Sequence, residues 1–199
     1  GEDFDSDSDL DDEDEEDGGP SVSQSLRTTS SSASATAASA SAVANARGAS
    51  KFVMVALSVR SSLDALLTVL GLPAGTEVVM SAVCIKDMSK IVQLHGCVPV
   101  PVDLLSGELQ VKEDVLRSAC SAQTGLIVCS HIWGAIPDMS GVIAIARENG
   151  CLVFEDCAEC FTGPRGYRGH PESDVTSFSF GTIKTGTALG GAVNHFRDA

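Results

Sequence analysis

The sequence lacks any uninterrupted run of 18 or more apolar residues, so we expect no membrane-spanning helix. It also has no Lys or Arg in residues 1–17, a segment that holds twelve of the 27 acidic residues. This segment accounts for most of the net charge of −14, because the rest of the chain has 15 acidic against 13 basic residues. A nearly neutral remainder offers no basic surface for DNA or RNA, and we expect no nucleic-acid partner.

Cysteine is present, but not in a pattern typical of disulfide-bonded or zinc-binding proteins. The seven cysteines are an odd number and are spread through apolar segments, which favours reduced thiols in a cytoplasmic protein. One pair, Cys157 and Cys160, has the CxxC spacing. Because no second pair and no histidine at a matching spacing accompanies it, we expect no metal site.

Residues 1–50 have the composition of a disordered arm. An acidic Asp/Ser/Glu block reaches Gly19, and a segment rich in Ser, Ala and Thr follows it. Such segments bury too little apolar surface to offset the entropy of ordering the chain. The arm either keeps the chain in solution or docks on a basic partner, and both interpretations stay open. The first residue is Gly and the last ten resemble a strand entering a loop, so we expect a piece of a longer protein, truncated at its C-terminus.

From Lys51 onward the pattern alternates between apolar strands and amphipathic helices. The strands are continuously apolar, as expected when helices cover both faces of a parallel sheet. The sequence therefore predicts an α/β fold with a mainly parallel sheet flanked by helices. The predicted helices are Ser61–Leu70, Asp87–His95, Glu113–Ala122 and Ser140–Asn149, and the predicted strands are Glu77–Val83, Val98–Val102, Gly125–Cys129, Cys151–Phe154 and Asp174–Phe180.

A single lysine stands out near the end of the chain. Lys184 follows a stretch of small hydroxyl and glycine residues, and it lies 28 residues after Asp156, which comes just past a predicted strand. Ligands of parallel sheets bind outside the carboxyl ends of the strands, so Asp156 and Lys184 are expected to be neighbours. A lysine amine near a buried carboxylate suits a Schiff-base cofactor. We predict that Lys184 carries pyridoxal 5'-phosphate.

From about Ser58 to Val193 the chain resembles the DegT/StrS-type sugar aminotransferases, a branch of the fold type I pyridoxal-phosphate enzymes. The resemblance implies the large domain of such an enzyme over residues 51–199, incomplete at its C-terminus. It also implies an amino-acid donor such as glutamate, a nucleotide-linked keto sugar as acceptor, and a homodimer with active sites at the interface. The segments that carry the resemblance are residues 71–78, 98–103, 131–134, 137–139, 154–159, 177–180, 184 and 188–191.

The resemblance assigns the two central roles to Lys184 and Asp156. Lys184 would form the Schiff base and then move the substrate proton as general acid and base. Asp156 would face the pyridine nitrogen, where a carboxylate favours the protonated ring that withdraws electrons from the substrate. Lysine at this position favours transamination over the sugar dehydrations of relatives that lack it.

The resemblance also implies a binding shell that departs from the family pattern in places. Ser179 matches the phosphate-binding hydroxyl, and the start of the first helix, with Arg60 and Ser61, is expected to complete the phosphate cradle. Many relatives have glycine where this chain has Val59, and charge on Arg60 is expected to compensate in part. Glu159 stands where a glutamine usually faces the cofactor's ring oxygen, so it either changes its protonation or turns elsewhere.

Three questions stay open at this stage. The residue that stacks on the cofactor ring is not evident, and Trp133 is a candidate with an equally good interpretation as a lid residue. A non-catalytic scaffold with a degenerate domain is an alternative function. Another fold type I reaction, such as cysteine desulfuration or decarboxylation, is a second alternative.

Overall fold

The computed structural model of the chain describes residues 53–105 and 107–197. The expectations for the acidic and Ser/Ala-rich arm, residues 1–50, lie outside these residues. Within them, no helix has the length and apolar character needed to cross a membrane.

A seven-stranded sheet forms the centre of the described chain. Its strands lie in the order β1-β7-β6-β5-β4-β2-β3, and β7 runs antiparallel to both of its neighbours while the other neighbouring pairs are parallel. The predicted α/β fold with a mainly parallel sheet is therefore confirmed. The strands are β1 (Val53–Ala56), β2 (Glu77–Ser81), β3 (Val98–Val102), β4 (Thr124–Ser130), β5 (Leu152–Asp156), β6 (Val175–Ser179) and β7 (Ala192–Phe196).

Four helices cover the two faces of the sheet. They are α1 (Val59–Leu70), α2 (Lys86–Leu94), α3 (Glu113–Ala119) and α4 (Ser140–Asn149). Alternate strand residues enter different cores: Met80 and Phe154 pack with α1 and α2, whereas Val79 and Val153 pack with α3 and α4. The continuous apolar runs in the sequence follow from this double coverage, because both faces of the strands are buried.

Helix α1 has a clear signal at each end. The hydroxyl of Ser58 accepts a hydrogen bond from the backbone N–H of Ser61 at 3.1 Å, and Gly71 ends the helix in the left-handed conformation. Leucines at helical spacing, including Leu63 and Leu67, are buried against the sheet. Because Ser58 is the cap, the helix starts at Val59, two residues earlier than predicted.

Most other boundaries also differ from the predicted ones by one or a few residues, and two of these differences have a clear cause. Strand β5 continues through Glu155 to Asp156 instead of ending at Phe154, because both residues pair with β4 and are buried. Helix α3 ends at Ala119 and not at Ala122. Cys120 has extended backbone geometry, and a turn closed by the hydroxyl of Thr124 follows it.

The carboxyl ends of the parallel strands bring polar residues to one edge of the sheet. Ser130, Asp156 and Ser177 are paired across β4, β5 and β6, and Ser179 is the last residue of β6. Paired residues of neighbouring strands point to the same face. Asp156 therefore lies on the face covered by α1 and α2, and Glu155 lies on the opposite face.

Candidate active site

Asp156 is a buried carboxylate at the carboxyl edge of the sheet. One of its oxygens, Oδ1, accepts the backbone N–H of Ala158 at 3.0 Å, and the other, Oδ2, receives only a long contact from the Ser130 hydroxyl at 3.4 Å. Burial raises the pKa of Asp156 to about 6, although the backbone hydrogen bond and the charges of His131 and Lys184 oppose the rise. The site thus holds a carboxylate that its protein neighbours do not fully compensate.

Lys184 and Ser179 are brought together by a tight turn after β6. The Lys184 N–H donates to the Gly181 carbonyl at 3.0 Å, and the Gly181 N–H donates to the Ser179 hydroxyl at 3.4 Å. The Ser179 hydroxyl keeps its own proton for a ligand, since in this contact it acts as acceptor. The turn places both predicted residues at the edge that carries Asp156.

Glu159 turns toward the predicted Schiff-base lysine. Its Oε1 lies 3.6 Å from Lys184 Nζ, and its Oε2 accepts the backbone N–H of Trp133 at 2.7 Å. Glu159 was expected either to change its protonation or to turn elsewhere. The structure shows its carboxylate in contact with the Lys184 amine and the Trp133 N–H. The Trp133 side chain is 77% exposed and its backbone is left-handed, with a φ of 53°.

The start of α1 lies beside the end of β6. Residues Ala56, Ala192 and Ser179 are in register across β1, β7 and β6, and Ser58 follows two residues after Ala56. The hydroxyls of Ser58 and Ser61 are 3.0 Å apart. The N-terminus of α1 therefore points to the edge where Ser179 lies, as expected for a phosphate cradle.

Arg60 makes a different contact in this structure. Its guanidinium donates to the Asp87 carboxylate at 2.6 Å, in an exposed ion pair between α1 and α2. The expected compensation by Arg60 for Val59 would require this ion pair to open. Val59 itself is buried in the core beneath α1.

Sequence reasoning missed the role of Glu155. Its carboxylate is fully buried and accepts hydrogen bonds from the hydroxyls of Tyr167 and Ser173, the backbone N–H of His170 and the hydroxyl of Thr176. These bonds fix the loop 163–173 to the face of the sheet opposite Asp156. A glutamate inside a strand buried on both faces was the available signal, because such a carboxylate needs several donors.

The loop 163–173 contains two arginines, Arg165 and Arg168, and Arg168 lies away from the Lys184 edge. Arg168 lines a cleft with His170, Thr176 and Arg197, near the amino end of β6. Because the lysine lies beyond the carboxyl end of β6, this cleft is at the opposite edge of the sheet. Arg168 is therefore not part of the candidate active site.

The residues at the Lys184 edge fit a cofactor with three particular groups. A protonated ring nitrogen would compensate the buried Asp156 carboxylate, and a phosphate would suit the Ser179 hydroxyl and the N-terminus of α1. An aldehyde would suit the amine of Lys184. Pyridoxal phosphate has all three.

Comparison with known proteins decides the family. The chain matches the DegT/DnrJ/EryC1/StrS aminotransferase family over residues 20–198. The chain belongs to this family.

Two curated members of the family illustrate the likeness. A 3-amino-5-hydroxybenzoate synthase of Amycolatopsis mediterranei (strain S699) is 32% identical over 144 residues, covering 69% of this chain and 37% of that protein. A GDP-perosamine synthase of Escherichia coli O157:H7 is 29% identical over 136 residues, covering 66% of this chain and 37% of that protein. The chain thus spans a little over a third of the length of these family members.

Solved structures of the family share the fold. A 3-amino-5-hydroxybenzoic acid synthase superposes with a TM-score of 0.67 and 26% identity, covering 83% of this chain and 43% of that one. The ntda protein of Bacillus subtilis, solved with bound cofactor PMP, has a TM-score of 0.66 and 26% identity, covering 74% of this chain and 33% of that one. The architecture described above is therefore that of pyridoxal-phosphate-dependent aminotransferases.

Proposed function

We propose that the chain is part of a pyridoxal-phosphate-dependent aminotransferase that moves an amino group from an amino acid, glutamate, to a keto sugar carried on a nucleotide. The single observation behind this proposal is the convergence of Lys184, Asp156 and Ser179 at one edge of the sheet in a member of the DegT family. The cofactor supplies the electron sink that stabilises a carbanion at the amino-acid α-carbon.

Lys184 is proposed to hold the cofactor covalently and to act as the proton carrier. Its Nζ lies 3.6 Å from the Glu159 carboxylate, and its side chain is 20% exposed. An amine near a second acid–base group, and partly shielded from water, can take a proton from one carbon of the substrate and return it to another. Glu159 thereby faces the amine.

Asp156 is proposed to hold a proton on the cofactor's ring nitrogen. Burial disfavours its ionised form, so an adjacent cation stabilises the carboxylate more strongly there than it would in water. Ser179 and Ser61, with the backbone of α1, are proposed to bind the phosphate. Arg60 joins them only in a state in which its ion pair with Asp87 is open.

The acceptor is proposed from the relatives. The family description gives amino transfer, and the name GDP-perosamine synthase points to an amino sugar linked to a nucleotide. Glutamate as donor is the expectation that the resemblance carries. We propose cytoplasmic action because none of the cysteines in the described part of the chain is paired in a disulfide.

A homodimer is proposed for the assembled enzyme. Three large apolar side chains on loops at the Lys184 edge are exposed, namely Trp133, Ile183 at 91% and Leu189 at 84%. Exposed apolar groups concentrated in one region mark a protein interface more often than isolated ones do. The interface would then lie beside the site, as the resemblance implies.

The proposal is tested by titrating the chain with pyridoxal phosphate and recording the visible absorbance. We expect a new band in the wild-type chain that is absent from Lys184→Ala and unchanged in Lys112→Ala, a control whose ammonium pairs with Asp114 on the surface. A band of equal size in Lys184→Ala would contradict the role of Lys184. No band at saturating cofactor would favour a non-catalytic scaffold.

Addition of amino acids then separates the enzyme alternatives. Loss of the band with glutamate, with formation of 2-oxoglutarate, supports amino transfer. Release of sulfide from cysteine, or of carbon dioxide from an amino acid, would instead assign a desulfurase or a decarboxylase.

A further inference from the structure

Three buried side chains outside the Lys184 site form a compact cluster of soft metal ligands. His131, Cys157 and Cys160 each offer one ligand atom, and these atoms all lie within 4.8 Å of one another. Cys157 Sγ is 3.9 Å from His131 Nδ1. The three residues are between 0% and 2% exposed, so solvent does not satisfy these groups.

The fold assembles this cluster from two separate segments. His131 follows the end of β4, whereas Cys157 and Cys160 lie on a turn after β5 that is closed by a 3.2 Å hydrogen bond from the Cys160 N–H to the Cys157 carbonyl. No histidine lies at a matching spacing from the CxxC pair in the sequence, which is why no metal site was expected. The histidine ligand, His131, lies 26 residues before Cys157 in the chain. The pairing of β4 with β5 brings it beside the two cysteines.

We propose that His131, Cys157 and Cys160 form a structural Zn²⁺ site. Thiolate and imidazole are the donors that Zn²⁺ prefers, and two thiolates neutralise its charge, so the complex can be buried at low cost. Binding replaces two thiol protons, which leave to solvent, and forms two Zn–S bonds and one Zn–N bond.

A carbonyl oxygen of the chain borders the cluster and can complete four-coordination. The Ala135 carbonyl lies 3.6 Å from Cys160 Sγ, whereas Glu155 Oε1, 3.7 Å from Cys157 Sγ, already accepts the Tyr167 hydroxyl and faces His131. Without a metal, the contacts of these thiols to nitrogen and oxygen atoms are long, between 3.6 and 3.9 Å. A tetrahedral site needs ligand atoms somewhat closer together than the present 4.8 Å limit, which side-chain rotation can supply.

The surroundings of His131 match those of a metal ligand. Its Nε2 lies 3.2 Å from Glu155 Oε1 without the alignment of a hydrogen bond, and within the described chain it has no other hydrogen-bond partner. The ring stacks on Tyr167 with centroids 5.7 Å apart. Metal-bound histidines typically place their second nitrogen against a carboxylate, which orients the ring and fixes its tautomer. A small rotation of the ring would align Nδ1 with the metal and Nε2 with the Glu155 carboxylate.

The site would anchor the turn that follows Asp156. Cys157 is the next residue after Asp156 and Cys160 the next after Glu159, and both carboxylates point to the Lys184 edge. A bound Zn²⁺ would tie this turn to the segment after β4 and so hold both carboxylates in place. The metal site stands on its own ligands and does not depend on the proposed function.

The experiment loads the reduced 199-residue chain with Zn²⁺ or Co²⁺ and measures metal content and optical spectra after dialysis. We expect about one Zn²⁺ per chain, and with Co²⁺ an absorption band from thiolate-to-metal charge transfer together with the intense visible bands of tetrahedral coordination. Cys157→Ser and Cys160→Ser are expected to lose the charge-transfer band. Cys97→Ser is the matched control, since it removes another buried thiol that is not in the cluster, and it is expected to bind metal as the wild type does.

Two results would overturn the proposal. One is wild-type chain that retains no metal and shows no thiolate band; the other is a Cys97→Ser variant that loses as much metal as Cys157→Ser. Should the serine variants fail to fold, as judged by circular dichroism, X-ray absorption at the zinc edge of the wild-type chain decides the question. Two sulfur ligands at about 2.3 Å and an imidazole support the site, whereas a first shell of oxygen and nitrogen alone contradicts it.

Discussion

Lys184 Nζ lies 3.6 Å from Glu159 Oε1, which places a carboxylate against the amine. The same carboxylate accepts the Trp133 N–H at 2.7 Å, so its position is fixed by the backbone. An ion pair of this kind competes with any use of the amine as a nucleophile, because the lysine must lose a proton before it attacks a carbonyl.

Glu159→Gln is expected to strengthen binding of pyridoxal phosphate modestly. The amide oxygen can still accept the Trp133 N–H, whereas the competing ion pair is lost. Partly exposed pairs of this type contribute up to about 1 kcal/mol, so the gain in affinity is at most roughly fivefold. Absorbance titration measures it, with Glu159→Ala as the control that also loses the backbone contact. Weaker binding by Glu159→Gln than by wild type would show that the charge assists the cofactor.

Asp156→Asn is expected to stabilise the cofactor-free chain at neutral pH. The folded-state pKa of Asp156 is about 6, raised above the value of about 3.9 in an unfolded chain. Its stabilising contribution is therefore fully present below about pH 4 and is lost as the pH rises through 6. Urea unfolding at pH 7.5 should favour the variant by on the order of 1–3 kcal/mol, and the difference should vanish near pH 4. A wild type that is more stable at pH 7.5 would contradict the account of this carboxylate.

Ser58→Ala and Ser61→Ala are expected to separate capping from phosphate binding. Ser58 caps α1, and its loss should reduce the free energy of unfolding by about 1 kcal/mol. The Ser61 side chain contacts the Ser58 hydroxyl, and the Ser61 backbone N–H that is capped stays in the variant. The loss of this side chain should therefore change the free energy of unfolding by less than about 0.5 kcal/mol. Cofactor affinity should nevertheless fall in Ser61→Ala. Equal affinity in Ser61→Ala and wild type would remove Ser61 from the phosphate cradle.

Ile183→Asp is expected to weaken self-association. The side chain is 91% exposed beside Lys184, where the proposed dimer interface lies. Sedimentation velocity should show a larger monomer fraction in the variant than in Val69→Asp, which changes an 80% exposed apolar residue of α1 away from that edge. Equal dissociation of both variants, or a wild-type chain that is monomeric at every concentration, would argue against an interface there.

The sequence predicted the fold well because its signals are local and repeated. Continuous apolar strands between helices required a parallel sheet covered on both faces, and the carboxyl-edge rule then placed Asp156, Ser179 and Lys184 together. The predicted boundaries of the helices and strands were less accurate than the fold. The start of α1 is set by a local hydrogen bond from the Ser61 N–H to the Ser58 hydroxyl, a cap signal that the prediction did not use. The extension of β5 through two carboxylates depends on its pairing with β4, which no local pattern reports.

The contacts of the site's outer residues could not be predicted for a similar reason. Glu159 and Arg60 were identified by position, but their partners Lys184 and Asp87 lie 25 and 27 residues away in the chain. The hydrogen bonds of Glu155 to the loop 163–173 and the position of His131 beside the CxxC pair arise from strand pairing. Spacing rules that examine one segment at a time do not detect such contacts.

The most direct test of the central claim is to locate the lysine that bonds to pyridoxal phosphate. The chain is incubated with the cofactor, reduced with borohydride to make the bond permanent, digested and mapped by mass spectrometry. The chain has five lysines, namely Lys51, Lys86, Lys90, Lys112 and Lys184. We expect the label on Lys184 at cofactor concentrations that leave the other four unmodified. Labelling spread evenly over the five lysines, or concentrated on another one, would contradict the assignment of this edge of the sheet as the active site.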